Sequence, residues 1–269
     1  MLLFNGEKTE GPWTGTRALH YGDGVFRTGL VLDGKLIDRE HHLRKLAVDA
    51  ERLDLEVSSE LAGEIDRTCA ATPDGVLKIV LSRSDSGRGY RPAGKACDRI
   101  LQIGPLPDQS HGLWEQGIDL GWSKVLLGIQ PRLAGIKHLN RLEQVLASRE
   151  CPADRHEVIL CDAEGRVSGG TRTNLFFVID GILVTPDVST AGVAGMMRDK
   201  VIELARSTGV GCDVGLISPD EIRHASEGFV TNSLVGIWPV RRIGSIELES
   251  PAPITRDLRE RLQHPWSGR

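Results

Sequence analysis

Lys137 is the residue of this sequence with the widest chemical reach. It stands in Gly135-Ile136-Lys137-His138-Leu139-Asn140-Arg141-Leu142, on a loop that follows an apolar strand and leads into an amphipathic helix. A lysine at a helix start opposes the macrodipole, so helix propensity does not account for it. Two readings fit: a solvated lysine in the first turn, or an amine desolvated enough to lose its proton near neutral pH and form a Schiff base. A second segment, Ala191-Gly192-Val193-Ala194-Gly195-Met196-Met197-Arg198, follows a strand and Pro186. Glycines running into a helix either leave backbone N–H groups aimed at an anion or form an ordinary loop. Val230-Thr231-Asn232-Ser233-Leu234 brings polar side chains to the end of an apolar strand, as further phosphate contacts or as a polar turn. Arg44 lies on a helix, where most arginines face water.

The elements that must position these residues fall into two groups. In the first, a short strand ends at Asn5-Gly6 and a second, Gly29 to Leu32, ends at Asp33-Gly34. Asp38 is placed to cap a helix through about Leu53, with Leu43, Leu46, Ala47, Ala50 and Leu53 on one face. A further helix at 59–71 stops before Pro73-Asp74-Gly75, and Val76 to Ser82 and Arg99 to Ile103 read as buried strands joined by glycine-rich Ser84 to Gly94. This predicts a small α+β domain over 1–105. Gly104-Pro105-Leu106-Pro107 opens a linker over 106–117, because two prolines forbid a regular continuation. The larger domain, 118–269, carries strand-like segments at 118–125, 157–162, 173–179, 182–185 and 228–232 and helices at about 138–150, 195–207 and 253–263. A barrel-like or sandwich-like sheet with helices outside, bearing Lys137, is the expected architecture.

Composition narrows the function classes. Of 269 residues, 40% are hydrophobic, ample for a core, and 33 Lys plus Arg against 37 Asp plus Glu leave a net charge of −4. That balance argues against a nucleic-acid or membrane-surface protein. No run of 18 apolar residues predicts a membrane helix, and the first residues lack the basic start of a signal peptide. The five cysteines are widely spaced with no Cys-x-x-Cys pair, so reduced thiols in the cytoplasm are expected rather than disulfides or a metal site.

In order along the chain, seven segments resemble the fold-type-IV pyridoxal-phosphate enzymes. They are His20-Tyr21-Gly22-Asp23-Gly24-Val25-Phe26, His42-Leu43-Arg44, Gly87-Arg88-Gly89-Tyr90, the Lys137 string continued to Gln144, Thr173-Asn174-Leu175-Phe176, Ala191 through Arg198, and Thr231-Asn232-Ser233 up to Pro239-Val240. The resemblance implies the two-domain α+β fold of branched-chain and D-amino-acid aminotransferases, pyridoxal 5′-phosphate as cofactor, and a homodimer with its site near the subunit interface. It implies that Lys137 is the Schiff-base lysine and Arg44 the phosphate-holding arginine. Met196 and Met197 would bind the phosphate through backbone N–H groups, with Asn232 and Ser233 completing the cup. Within the family, the Lys-His-Leu-Asn-Arg-Leu-Glu-Gln string and Gly-Arg-Gly-Tyr are most similar to the aminodeoxychorismate lyases, which release pyruvate and form 4-aminobenzoate for folate synthesis. Substrate carboxylates would then meet Thr28, Arg88 and Tyr90, although Arg88 is equally readable as a turn arginine.

Two departures bear on that expectation. The family places a glutamate five residues before the asparagine of Asn-Leu-Phe, to keep the pyridine nitrogen protonated, and here that position is Gly169. A weaker electron sink disfavours an aminotransferase, whereas a lyase whose product becomes aromatic has another driving force; Glu164 or a water is a conceivable substitute. Thr16 stands where related sequences often have aspartate. The alternatives are a branched-chain or D-amino-acid aminotransferase, and a cofactor-free binding protein that kept the fold.

Overall fold

A computed structural model describes residues 1–8, 16–84, 89–107, 112–249 and 252–265. Its contacts divide the chain into two units, Met1–Asp108 with Ile136–Asn140, and Gln109–Gly135 with Arg141–Arg269.

The first unit is an antiparallel sheet of six strands: β1 (Leu2–Phe4), β2 (Glu7–Lys8), β3 (Gly24–Leu32), β4 (Lys35–Leu36), β5 (Gly75–Arg83) and β6 (Cys97–Gly104), in the order β2-β1-β6-β5-β3-β4. Period-two alternation decides its faces. Leu77, Ile79 and Leu81 of β5 lie opposite Gly29, Arg27 and Val25 of β3 and point into a core shared with Leu46, Ala50, Leu61, Ile65 and Ile136. Helices α1 (Arg17–Tyr21), α2 (Arg39–Arg52) and α3 (Leu61–Ala70) complete the unit. α2 comes close to β3 at Gly29, where a Cβ would lie 2.8 Å from His42 Nε2 and 2.5 Å from Leu36 Cδ1. The other face of β3 presents Phe26 and Thr28, each partly exposed.

The second unit carries nine strands: β7 (Ile118–Leu127), β8 (Glu157–Asp162), β9 (Val167–Gly170), β10 (Asn174–Ile179), β11 (Ile182–Pro186), β12 (Asp213–Gly215), β13 (Ala225–Asn232), β14 (Gly236–Ile243) and β15 (Ile246–Glu247). The order is β12-β11-β10-β13-β14-β7-β8-β9, with β15 on β14. β11–β12, β14–β7 and β7–β8 run parallel and the remaining pairs antiparallel. The helices are α4 (Leu113–Gln116), α5 (Leu142–Glu150), α6 (Met196–Ser207) and α7 (Pro253–Leu262). Phe176 and Phe229 stack at 4.8 Å across β10 and β13 and pack with Val201 and Ile202 of α6 and Leu258 of α7. The buried Glu227 carboxylate accepts the Ile254 and Thr255 N–H groups, satisfying donors that the first turn of α7 leaves open.

Several expectations shift for identifiable reasons. Asp38 precedes α2 but sits at φ +55° and makes no side-chain cap. The strand expected from Gly29 begins at Gly24, because β5 pairs along its whole length from Gly24↔Ser82 to Val31↔Gly75. The helix expected from 138 begins at Leu142, since the residues before it pair with β3 instead: Val25 bridges His138, and Phe26 N–H donates to Lys137 O at 2.9 Å. That pairing groups Ile136–Asn140 with the first unit rather than with the domain expected to carry the lysine. Nor are residues 113–116 a linker. Trp114 is buried, its indole N–H donates to Val235 O at 2.8 Å and its ring meets Trp238 edge-on. All five cysteines are free, and burial pushes the Cys69, Cys97 and Cys212 thiols up to about 11. Among the described residues no helix is long and apolar enough to cross a membrane.

Candidate active site

In the first unit the chemistry gathers beside β3. Leu139 N–H donates to Gly24 O at 3.0 Å and Phe26 N–H to Lys137 O, so the segment runs as a strand along β3. Alternation then sends Ile136 into the core and Lys137 to the opposite face, where its Nζ lies 4.7 Å from the Phe26 ring centroid. Lys137's own N–H donates to Asp49 Oδ2 at 3.1 Å. The same oxygen accepts Arg27 Nη2, in an ion pair whose two side chains are each 3% exposed. Lys78 of β5 places its Nζ 5.4 Å from the Phe26 centroid and stands directly across from Thr28. One aromatic ring thus carries two lysine nitrogens, with a threonine hydroxyl on the neighbouring cross-strand pair.

In the second unit an anion cradle forms at the start of α6. Asn174 Oδ1 accepts the Gly195 N–H at 3.2 Å, and its Nδ2 donates to Val193 O at 2.7 Å. A Cβ on Gly195 would fall 2.2 Å from that Oδ1, so only glycine allows this approach. Gly195 brings no side chain to cap α6, and the N–H groups of Met196, Met197 and Arg198 have no preceding helical carbonyl to meet. Thr231 is paired with Asn174 across β10 and β13, which puts both side chains on one face. Its buried hydroxyl has no hydrogen-bond partner among the described residues. The loop before Asn174 is held by Glu157, which accepts the Thr171 N–H and hydroxyl at 3.0 and 2.6 Å, the Arg172 N–H at 3.2 Å and the Thr173 hydroxyl at 3.2 Å.

The residues expected to do chemistry are therefore distributed unevenly. Lys137 and Thr28 share the Phe26 face, and Met196 and Met197 begin α6 with buried side chains. Arg44, expected on the phosphate, is exposed, because the buried stripe of α2 is His42, Leu46, Asp49 and Ala50. Lys45, three after His42 and four before Asp49, lies on that stripe's side and is half-buried. Asn232 is committed to its own turn, its Oδ1 accepting the Leu234 and Val235 N–H groups at 2.8 and 3.0 Å. Ser233 is half-buried in that turn, its carbonyl 3.4 Å from His264 Nε2. Tyr90 is 88% exposed, its ring edge-on to Tyr21 and its carbonyl accepting from Arg17 Nη2 at 3.1 Å. Arg88 lies outside the described residues. Thr16 caps α1, its hydroxyl accepting the Leu19 N–H at 3.4 Å, a task an aspartate would also perform. Glu164 is an exposed turn residue 2.7 Å from Arg166. Sequence reasoning missed Lys78, Lys45, Asp49 and Arg27, and it named Thr231 only within its polar segment; none belongs to an apolar pattern or a glycine signal.

A model of the amino-transferase class IV family matches residues 24–243. The chain belongs to that family. An aminodeoxychorismate lyase from Vibrio harveyi is 34% identical over 255 residues, covering 93% of each chain. The branched-chain-amino-acid aminotransferase of Escherichia coli K12 is 29% identical over 296 residues, covering 99% of this chain and 93% of that one. The crystal structure of 4-amino-4-deoxychorismate lyase from Pseudomonas aeruginosa superposes with a TM-score of 0.94 at 38% identity, over 98% of both chains. As a class IV chain the protein uses pyridoxal 5′-phosphate. The residues present suit that group. The uncapped N–H donors at the start of α6 and the buried Thr231 hydroxyl match phosphate oxygens, and Lys137 offers an amine for the aldehyde. Among the described residues no cluster of His, Cys, Asp and Glu is placed to hold a metal ion.

Proposed function

We propose that the protein is a pyridoxal-phosphate lyase that converts 4-amino-4-deoxychorismate to 4-aminobenzoate and pyruvate. The reading is carried by the near-full-length likeness to an enzyme of that name, together with the Lys137 string and its surroundings. Bound pyridoxal phosphate supplies an electrophilic carbonyl and an electron sink for the substrate's amine-bearing carbon. Lys137 would hold the cofactor through its amine and would serve as the base that takes the proton from that carbon. Phe26 shields one side of its Nζ from water. The ring C–O bond to the enolpyruvyl group breaks as the ring becomes aromatic, and Lys137 returns the proton to the departing enolpyruvate methylene. The first turn of α6, Thr231 and Ser233 are the phosphate donors we assign in the second unit, and in the first unit Lys45 of α2 is the assigned cation in place of Arg44. Lys78 and Thr28 receive a substrate carboxylate, a role open to Tyr90 and Arg88 as well.

Position 169 favours this reading over an aminotransferase. Gly169 has no positive φ, and within 4 Å a Cβ there would meet only Thr173 O, at 3.1 Å. A side chain there therefore requires the Thr173 carbonyl to give way, and the chain carries no carboxylate at this position. A reaction driven by aromatisation tolerates that absence better than reversible amino transfer does. The deciding experiment incubates the holoenzyme with aminodeoxychorismate and follows pyruvate and 4-aminobenzoate. Equimolar formation of both is expected. Transfer of an amino group from branched-chain or D-amino acids at a higher rate, with no pyruvate released, overturns the reading.

A further inference from the structure

We propose that the buried Arg27–Asp49 pair is the positioning device of Lys137, resting on the reading of Lys137 as the reactive amine. An ion pair whose partners are each 3% exposed is expensive to bury, and well-packed apolar residues would stabilise α2 against β3 at lower cost. The pair must therefore serve something besides packing. Asp49 Oδ2 is where three elements converge: it lies on α2, accepts Arg27 from β3 and accepts the Lys137 main-chain N–H at 3.1 Å. The ladder between β3 and 136–140 uses Phe26 N–H and Lys137 O, whereas the N–H of Lys137 goes to the carboxylate. A charged acceptor makes a stronger bond than a neighbouring carbonyl would. Arg27 balances its charge, so the lysine main chain is held by a strong acceptor while the pocket gains no net charge. Phe26, the next residue before Arg27, supplies the ring under Nζ, so one strand both anchors the backbone and shields the amine.

The test uses the holoenzyme and reads the visible absorption band of the bound cofactor against pH, with the rate of cofactor release. The other ionisable groups on the surrounding elements, His42 and Lys45 of α2, Lys78 of β5 and His138, stay unchanged in every variant. Asp49→Asn leaves the Arg27 charge unbalanced beside the Lys137 main-chain nitrogen, and the band's pH midpoint is expected to fall. Arg27→Met/Asp49→Asn removes both charges but keeps an amide oxygen for the N–H, and is expected to restore the midpoint. Arg27→Met/Asp49→Leu is also neutral but has no acceptor; about tenfold faster cofactor release is expected. If Asp49→Asn does not fold, the comparison of the two neutral double variants decides. Wild-type midpoints and release rates in all folded variants overturn the proposal. Borohydride reduction of the wild type serves as a separate control. Attachment of the cofactor to a lysine other than Lys137 refutes the underlying reading instead.

Discussion

Arg44 and Lys45 are one residue apart and about 100° apart around α2. The apolar residues Leu43, Leu46, Ala47, Ala50 and Leu53 suggest one buried face, yet the observed one is centred on His42, Leu46, Asp49 and Ala50. Polar residues buried for a purpose are invisible to an apolar pattern, and Gly29 makes the room for His42. The rotation leaves Arg44 exposed and Lys45 half-buried. Lys45→Ala is expected to weaken pyridoxal-phosphate affinity at least about tenfold, as loss of a charge-assisted bond worth about 1.5–3 kcal/mol requires, and Arg44→Ala to change it less than about twofold. Equilibrium dialysis of both variants checks this; the reverse ranking returns the role to Arg44. Lys78 escaped notice because a lysine alternating with apolar strand residues reads as a solvent face. Lys78→Met is expected to raise KM for aminodeoxychorismate about fivefold or more with kcat nearly unchanged. A fall in kcat at constant KM would remove Lys78 from substrate binding.

At the scale of elements, apolar runs made β1, β5, β6 and the second half of β3 legible but not the two-residue β2 and β4, and the glycine run before Met196 announced α6 within one residue. β9, Val-Ser-Gly-Gly, was not legible because only Val167 in it prefers a strand; β8 pairs with it and Glu157 anchors the loop beyond. β14 contains Pro239, which ordinarily argues against an inner strand, yet it runs between β13 and β7. Beside it, Asp119 at the start of β7 takes hydrogen bonds from Arg241 and Arg242, and the Arg241 bond foremost holds its carboxyl down at about 2, below the ordinary 3.8. A depressed carboxylate stabilises the fold fully above its unfolded pKa and loses that contribution as pH falls through the folded value. Asp119→Asn is therefore expected to lower the urea midpoint near neutrality and to flatten its decline between pH 4 and about 2. An undiminished acid decline in the variant would assign it to other carboxylates.

For the molecule as a whole, α5 leaves Leu142 76%, Val145 52% and Leu146 48% exposed at three- and four-residue spacing, an apolar stripe that a solvated helix does not need. We expect a second copy of the chain to cover it. Leu142→Glu/Leu146→Glu should convert a dimer to a monomer in sedimentation velocity, and a wild type that sediments as a monomer at micromolar concentration contradicts the expectation. The sequence offered this stripe only as helical periodicity, which cannot say whether a face meets the core or another subunit.

The excursion of Ile136–Asn140 reaches beyond catalysis. The backbone crosses between the two units three times, after positions 108, 135 and 140. Ile136 completes the core of the first unit although 31 residues lie between it and the end of β6 at Gly104, and Lys137 lies beside β3 in a unit encoded mostly upstream. No single cut in the gene yields two self-sufficient pieces. A fragment ending near 108 would lack Ile136 and Lys137, and the complementary fragment would carry both with no β3 to receive them. Shuffling of halves between relatives at that junction must then keep β3, Asp49 and the five-residue insert matched. Lys137 in its setting is inherited as a property of the entire chain and not as a movable module.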